Sequence, residues 1–154
     1  MMYQYEYPRP SVTADVVLLA GNKGDQSILL IQRAHAPYKD MWALPGGFVD
    51  ENENLPDTAA RELLEETGIE HICLKQIGAF GKPGRDPRGH TITIAYLGII
   101  PDRVLTIAGD DAKLAMWFQL NELPPLAFDH HEIIEAALNF QSQLIPQTIT
   151  QNQQ

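Results

Sequence analysis

The feature that most constrains this chain is a short helical segment, residues 54–68, set among strand-like runs. Asn54 stands where an N-cap belongs, Pro56 fits a first helical turn, and Asp57 follows Asn54 at capping-box distance. Ala59, Ala60, Leu63, Leu64 and Thr67 recur at helical spacing and predict an apolar stripe. Gly68 suits the left-handed position that ends a helix. Around this segment, residues 12–20, 27–32, 72–80, 91–100 and 114–120 read as strands. Turn chemistry at residues 21–25 joins the first two runs as a hairpin. Residues 34–41 form a loop with Pro37, and residues 42–47 are short, extended and glycine-bounded. Asp129 caps a second helix, answered by Glu132, with Ile133, Ile134, Ala137 and Leu138 on its core side. Strands in series with two helices predict an α+β layered fold, not a doubly wound one.

Composition sets the outer limits. A chain of 154 residues is one domain's worth. We expect that domain over residues 1–146, ended by Pro146, and a disordered polar tail over 147–154. Hydrophobic residues at 44% are too many for whole-chain disorder. A net charge of −9 lacks the basic footprint of a nucleic-acid binder. It also means that an anionic substrate needs a cation to offset the protein's own field. The lone cysteine, Cys73, excludes an intrachain disulfide and a cysteine zinc cluster. Its apolar neighbours Ile72 and Leu74 predict a small buried hydrophobe. The five histidines show no zinc-ligand spacing. The first ten residues lack a signal core, and no apolar run reaches membrane-spanning length. A soluble cytoplasmic protein with no membrane partner is the expectation.

The chemistry concentrates between residues 47 and 69. Glu62, Glu65 and Glu66 lie at i, i+3 and i+4, which gathers their carboxylates on one helix face, expected opposite the Ala/Leu stripe. Like charges so placed repel unless a cation sits among them. Oxygen donors of this kind suit Mg²⁺, or Mn²⁺ as a substitute. The bland alternative is a solvated acidic face with Arg61 as counter-charge. The flanking residues argue against it: Gly47, Glu53, Arg61-Glu62-Leu63, Glu65-Glu66 and Gly68-Ile69 together resemble the Nudix box, with every specified position filled. That resemblance implies an α/β/α sandwich with a central mixed β-sheet. It also implies a hydrolase that attacks a nucleoside diphosphate derivative with water at phosphorus. By the same resemblance Glu65 and Glu66 bind the metals, with Glu62 close by as ligand or base. Glu53 supports the site from the preceding loop, and Arg61 orients a glutamate by ion pairing, with Glu65 the expected partner. Gly46 and Gly47 bring backbone close to the metals, and the family's habit implies a homodimer.

Residues 84–90 before the strand-like run 91–97, then Asp110-Asp111-Ala112, Trp117-Phe118 and Ala127-Phe128-Asp129-His130, look similar to the ADP-ribose pyrophosphatase branch of that family. This implies cleavage of ADP-ribose to AMP and ribose 5-phosphate. Arg85 and Arg88 can grip phosphate bidentately, or one of them can pair with Asp86 and only shape the loop. Arg33 and His90 are further candidates for ligand contact, and Phe80, Phe48 and Tyr38 for a platform under the base. Trp42 and Trp117 are expected in packing, and either His90 or His130 can be structural. Carboxylates that could serve as general base are Glu62, Asp110, Asp111 and Glu122. Two rival functions stay open. One is an ADP-ribose-sensing regulator without turnover. Such proteins tend to lose box glutamates and carry a DNA-binding domain, and neither is expected here. The other is a Nudix enzyme for an oxidised nucleoside triphosphate or another nucleoside diphosphate derivative.

Overall fold

A computed structural model describes residues 2–109 and 111–149, with side chains through Leu144. Its elements in chain order are β1 (Ser11–Ala20), β2 (Ser27–Arg33), β3 (Trp42–Ala43), β4 (Gly46–Phe48), α1 (Leu55–Thr67), β5 (Lys75–Phe80), β6 (Thr91–Ile100), β7 (Ala112–Gln119) and α2 (His130–Ile149). β1 pairs in parallel with β6 from Ser11–Thr91 to Ala20–Ile100. The other pairings are antiparallel, so the seven-stranded sheet is mixed, as expected.

Successive residues of a strand face opposite sides of a sheet. In β1, Val17 and Leu19 meet Ile133, Ile134 and Ala137 of α2. Ala14, Val16 and Leu18 meet Ala59 and Leu63 of α1 on the other side. Both faces are covered, which is why β1 reads as an almost unbroken apolar run. The result is a helix–sheet–helix sandwich. No helix among the described residues is long and apolar enough to cross a membrane.

The expected β1–β2 hairpin is real but brief. Only Leu19–Ile28 and Ala20–Ser27 pair directly. Beyond them the strands part. β1 takes β4 as its neighbour at Thr13, Ala14 and Asp15, and β2 takes β3 at Ile31 and Gln32. The stretch read as one extended piece is thus two short strands that fill the gap between β1 and β2. This opening in the sheet creates the cleft described below.

Several local expectations need correction. Asn54 has N-cap backbone angles, but its side chain makes no capping bond. Ala60 and Leu64 are exposed, and the buried face of α1 is Thr58, Ala59, Leu63, Glu66 and Thr67. Glu66 therefore lies on the core side with Leu63, not opposite it. The carboxylate of Asp129 is held by Arg85 rather than by the α2 N-terminus. Cys73 is exposed, because β5 begins only at Lys75 and the residues before it lie outside the sheet. Helix α2 includes Pro146 and is described to Ile149, while residues 150–154 of the expected tail lie outside the described residues. The Gly68 cap is as expected, with φ of 75° and its N–H on the Leu64 carbonyl at 2.9 Å.

Tyr96 carries one testable consequence of this packing. It is 2% exposed, and its hydroxyl has no hydrogen-bond partner among the described residues. An unpaired buried hydroxyl is a cost. Tyr96→Phe should leave stability unchanged or raise it by up to about 1 kcal/mol. A chemical denaturation curve showing a clear loss would mean that the hydroxyl has a partner.

Candidate active site

The gap between β1 and β2 opens into a cleft of about 350 Å³. Its lining includes residues of α1 and residues at the start of α2, which pack on opposite faces of the sheet. Glu62 and Glu66 of α1 line one side, and Phe128 and His130, at the start of α2, line the other. Asp15, Arg33 and Gly46 stand between them.

The box residues form a connected network around Arg61. Its Nε donates to Glu53 Oε1 at 2.7 Å, and Nη2 donates to Glu53 Oε2 at 3.0 Å. Nη1 donates to Glu62 Oε1 at 2.9 Å and to Glu65 Oε2 at 3.2 Å. Nη2 also reaches the Phe48 carbonyl at 3.0 Å. The expected Arg61–Glu65 pair is present, but Glu53 is the tighter partner. Glu53 also accepts from the Thr58 hydroxyl and the Asp50 N–H, and with Arg61 leading these donors lower its pKa to about 2. It is a fixed anion that orients Arg61.

Glu66 is the opposite case. It is 8% exposed, and its Oε2 accepts the Gly46 N–H at 3.0 Å. Burial, with Glu62 and Asp15 nearby, raises its pKa to about 8 despite that bond. Burial also raises Glu62, against the pull of Arg61. No Lys or Arg pairs with Glu66 or Asp15 among the described residues. Ionised, the carboxylates that line the cleft outnumber its arginines, and burial resists that ionisation at Glu66 and Glu62. The glycines are required by close approach. A Cβ on Gly47 would stand 2.3 Å from Glu62 Oε1, and one on Gly46 would stand 2.2 Å from Asp15 Oδ1. No three acidic or histidine side chains among the described residues form a ready metal cage. Mg²⁺ typically takes one or two carboxylates and completes its shell with water and phosphate oxygens. The donor set fits that habit.

The substrate-binding candidates divide. Arg33, Arg85 and Arg88 all line the cleft. Arg85 is held bidentately by Asp129, at 2.9 and 2.6 Å. Arg88 is held by Asp86, at 3.0 and 2.8 Å, and its guanidinium lies 4.8 Å from the Phe48 ring centroid. The alternative of an Arg–Asp86 pair that shapes the loop thus describes Arg88. Arg33 donates Nε to the Pro37 carbonyl at 2.8 Å and stacks on Phe128. Its two terminal nitrogens bond no described residue, and burial lowers its pKa. Phe80 packs in the core cluster under α2, and His90 is exposed with Nε2 on the Gly81 carbonyl. Neither lines the cleft, and Glu65 sits exposed beyond its wall. Phe48 and Asp111 do line it, Tyr38 packs on Phe128, and Glu122 is exposed after β7. Asp110 lies outside the described residues.

Sequence reasoning missed Asp15, and it quoted Phe128 within the segment 127–130 without giving it a role. Asp15 carried a signal, being the one charged residue in the run that became β1. A charge in a strand covered on both faces needs a specific reason to be there. The segment marked Phe128 only as one of four residues, and a lone aromatic is more often core.

Comparison with known proteins bears on these features. The NUDIX domain family matches residues 9–137. An ADP-ribose pyrophosphatase of Methanocaldococcus jannaschii is 44% identical over 129 residues, 84% of this chain and 73% of that protein. An ADPR responsive transcriptional repressor of Acinetobacter baylyi is 39% identical over 136 residues, 86% of this chain. This chain spans only about half of that repressor's length (54%). Among solved structures, the NUDIX domain of Shewanella oneidensis NrtR in complex with ADP ribose superposes with a TM-score of 0.81 at 32% identity, over 88% of this chain and 90% of that one. The filled box, the mixed sheet between two helices and these matches agree, and the chain belongs to the Nudix family.

Proposed function

We propose that this chain is a Mg²⁺-dependent hydrolase that splits ADP-ribose into AMP and ribose 5-phosphate by attack of water on phosphorus. The observation that carries the reading is the meeting, in one cleft, of Glu62, a buried Glu66 that no Lys or Arg pairs among the described residues, and an Arg33 guanidinium with free terminal nitrogens. Glu62 and Glu66 would hold Mg²⁺ or Mn²⁺, with Glu65 at the rim and the Gly46 backbone alongside. When bound, the cation supplies charge neutralisation of the pyrophosphate and acidifies a water. Phosphoryl chemistry asks mainly for positioning and electrostatics, so no nucleophilic Ser or Cys is needed. Arg61 keeps Glu62 and Glu65 in place while Glu53 keeps Arg61 in place. Arg33 offers its free nitrogens to phosphate oxygens. Glu62 and Asp111 are the two cleft-lining carboxylates among the base candidates.

The 44% identical pyrophosphatase and the ADP-ribose complex of a similar domain support the substrate class. The repressor relative supports a second reading, ADP-ribose sensing without turnover. The complete set, with Glu53, Glu62 and Glu65 joined through Arg61 and Glu66 held by the Gly46 N–H, favours turnover. A homodimer belongs to the same reading and is read by sedimentation. The test is AMP release from ADP-ribose, NADH, a diadenosine polyphosphate and an oxidised deoxynucleoside triphosphate, with Mg²⁺ and with chelator. Chelator-sensitive cleavage of ADP-ribose above the others is expected. Preference for another compound would keep the hydrolase and discard the substrate.

A further inference from the structure

Asp15 is a buried carboxylate that the box chemistry does not use. It lies at the middle of β1, in the floor of the cleft, and its side chain is 10% exposed. Its Oδ2 accepts the Thr93 hydroxyl from β6 at 2.6 Å. The same oxygen faces His130 Nε2 at 3.8 Å, beyond hydrogen-bond reach. His130 is fixed in turn. Its Nδ1 accepts the Leu44 N–H at 3.0 Å, so a neutral ring carries its proton on Nε2, and full burial lowers its pKa. One oxygen of Asp15 is therefore supplied and held in a set direction by groups from β6 and α2.

The other oxygen is not. Oδ1 has no hydrogen-bond donor among the described residues, yet it is not among the sealed, unpartnered buried atoms. It opens to the cleft beneath Gly46, where only a glycine leaves it room. A buried carboxylate with one donor and one open oxygen is incomplete. A carboxylate accepts only, so what completes it is a hydrogen-bond donor or a cation and cannot be a phosphate oxygen. The cleft is lined by Glu62 and Glu66 from α1, and by Asp15, which shares the α2-facing side of β1 with Val17 and Leu19 and faces His130. A ligand with its phosphates near Glu62 and Glu66 thus brings a neighbouring group to Asp15.

We infer that Asp15 is a specificity residue that accepts a hydrogen bond from a ribose hydroxyl of the substrate. The inference rests on the nucleoside diphosphate–sugar reading above and adds a sugar subsite to it. Thr93 and His130 are positioning residues for this acceptor. Both riboses of ADP-ribose offer the same hydroxyl chemistry, so the source is decided by experiment.

The test compares kcat/KM for ADP-ribose with analogues lacking one hydroxyl on the adenosine ribose or on the terminal ribose. The wild-type protein should disfavour one of these analogues by about 10- to 100-fold, as expected when a buried acceptor loses its donor. Asp15→Asn should lose most of that discrimination by turning over ADP-ribose more slowly. Its Mn²⁺ affinity, read by electron paramagnetic resonance, should stay at the wild-type value. Equal use of all analogues by the wild-type protein would overturn the inference without needing any variant to fold. A fall in Mn²⁺ affinity with discrimination retained would also overturn it, and would make Asp15 a metal ligand. A folded variant with wild-type discrimination would leave Asp15 as a tie between sheet and α2 and overturn the subsite alone. Failure of the wild-type protein to bind or cleave ADP-ribose would instead strike the underlying reading, and the subsite with it.

Discussion

Glu66→Gln should abolish turnover and, in chelator at pH 8, make the protein more stable than wild type. Both effects follow from one carboxylate. Gln keeps an oxygen for the Gly46 N–H and keeps the shape of a side chain that is 8% exposed. It removes the charge that would hold the cation, and turnover should fall by at least about 10²–10³-fold, the scale of losing one electrostatic element of such a site. The stability change has a defined sign. Burial raises the Glu66 pKa from 4.5 to about 8 in the folded protein. Its contribution is therefore full below about pH 4.5 and is lost as pH rises through about 8. Metal-free wild type should lose thermal stability across that window, and the Gln variant should not. Calorimetry in chelator should show the variant melting at least about 5 °C higher at pH 8. Added Mg²⁺ should stabilise wild type more at pH 8 than at pH 6, because it binds the ionised form. Glu53 acts at the other end of the scale. Its pKa is lowered to about 2, so its contribution is present above about pH 4.5 and is lost as the solution is acidified toward pH 2.

Arg61→Lys should lower activity by about 10- to 100-fold, the range for groups that orient metal-binding side chains. The substitution keeps a positive charge, so a purely electrostatic role would survive it. Arg61 instead uses three nitrogens to reach Glu53, Glu62, Glu65 and the Phe48 carbonyl at once. A lysine is a single point of donors on a flexible stem and cannot reproduce that plane. The rate measured against Mg²⁺ concentration should shift to higher Mg²⁺ in the variant. An unchanged Mg²⁺ dependence would show that Arg61 does not organise the carboxylates.

What the sequence made legible was local. Asn54, Pro56 and Gly68 punctuate a helix within its own span, and α1 has the expected bounds. Glu65 lies one turn from Arg61, and the family resemblance implied that pair, whereas Glu53 as the tighter partner of Arg61 was not anticipated. What stayed hidden depends on partners far along the chain. Arg85 is claimed by Asp129, 44 residues away, and Asp15 by Thr93, 78 residues away. No local pattern encodes such pairs. The same limit explains Glu66 and Leu64. Helical spacing allowed either to face the core, and it is Glu66 that does so, with its Oε2 on the Gly46 N–H of β4, a partner 20 residues away. The parting of β1 from β2 was also invisible, since β3 and β4 together span only a few residues.

The most direct test of the central claim is a ³¹P magnetic resonance time course of the protein with ADP-ribose and Mg²⁺, followed by addition of chelator. The account predicts that the pyrophosphate signals give way to those of AMP and ribose 5-phosphate, and that chelator stops the conversion. Broadened, shifted pyrophosphate signals that persist without product would contradict it and would identify the cleft as a site that binds ADP-ribose without cleaving it.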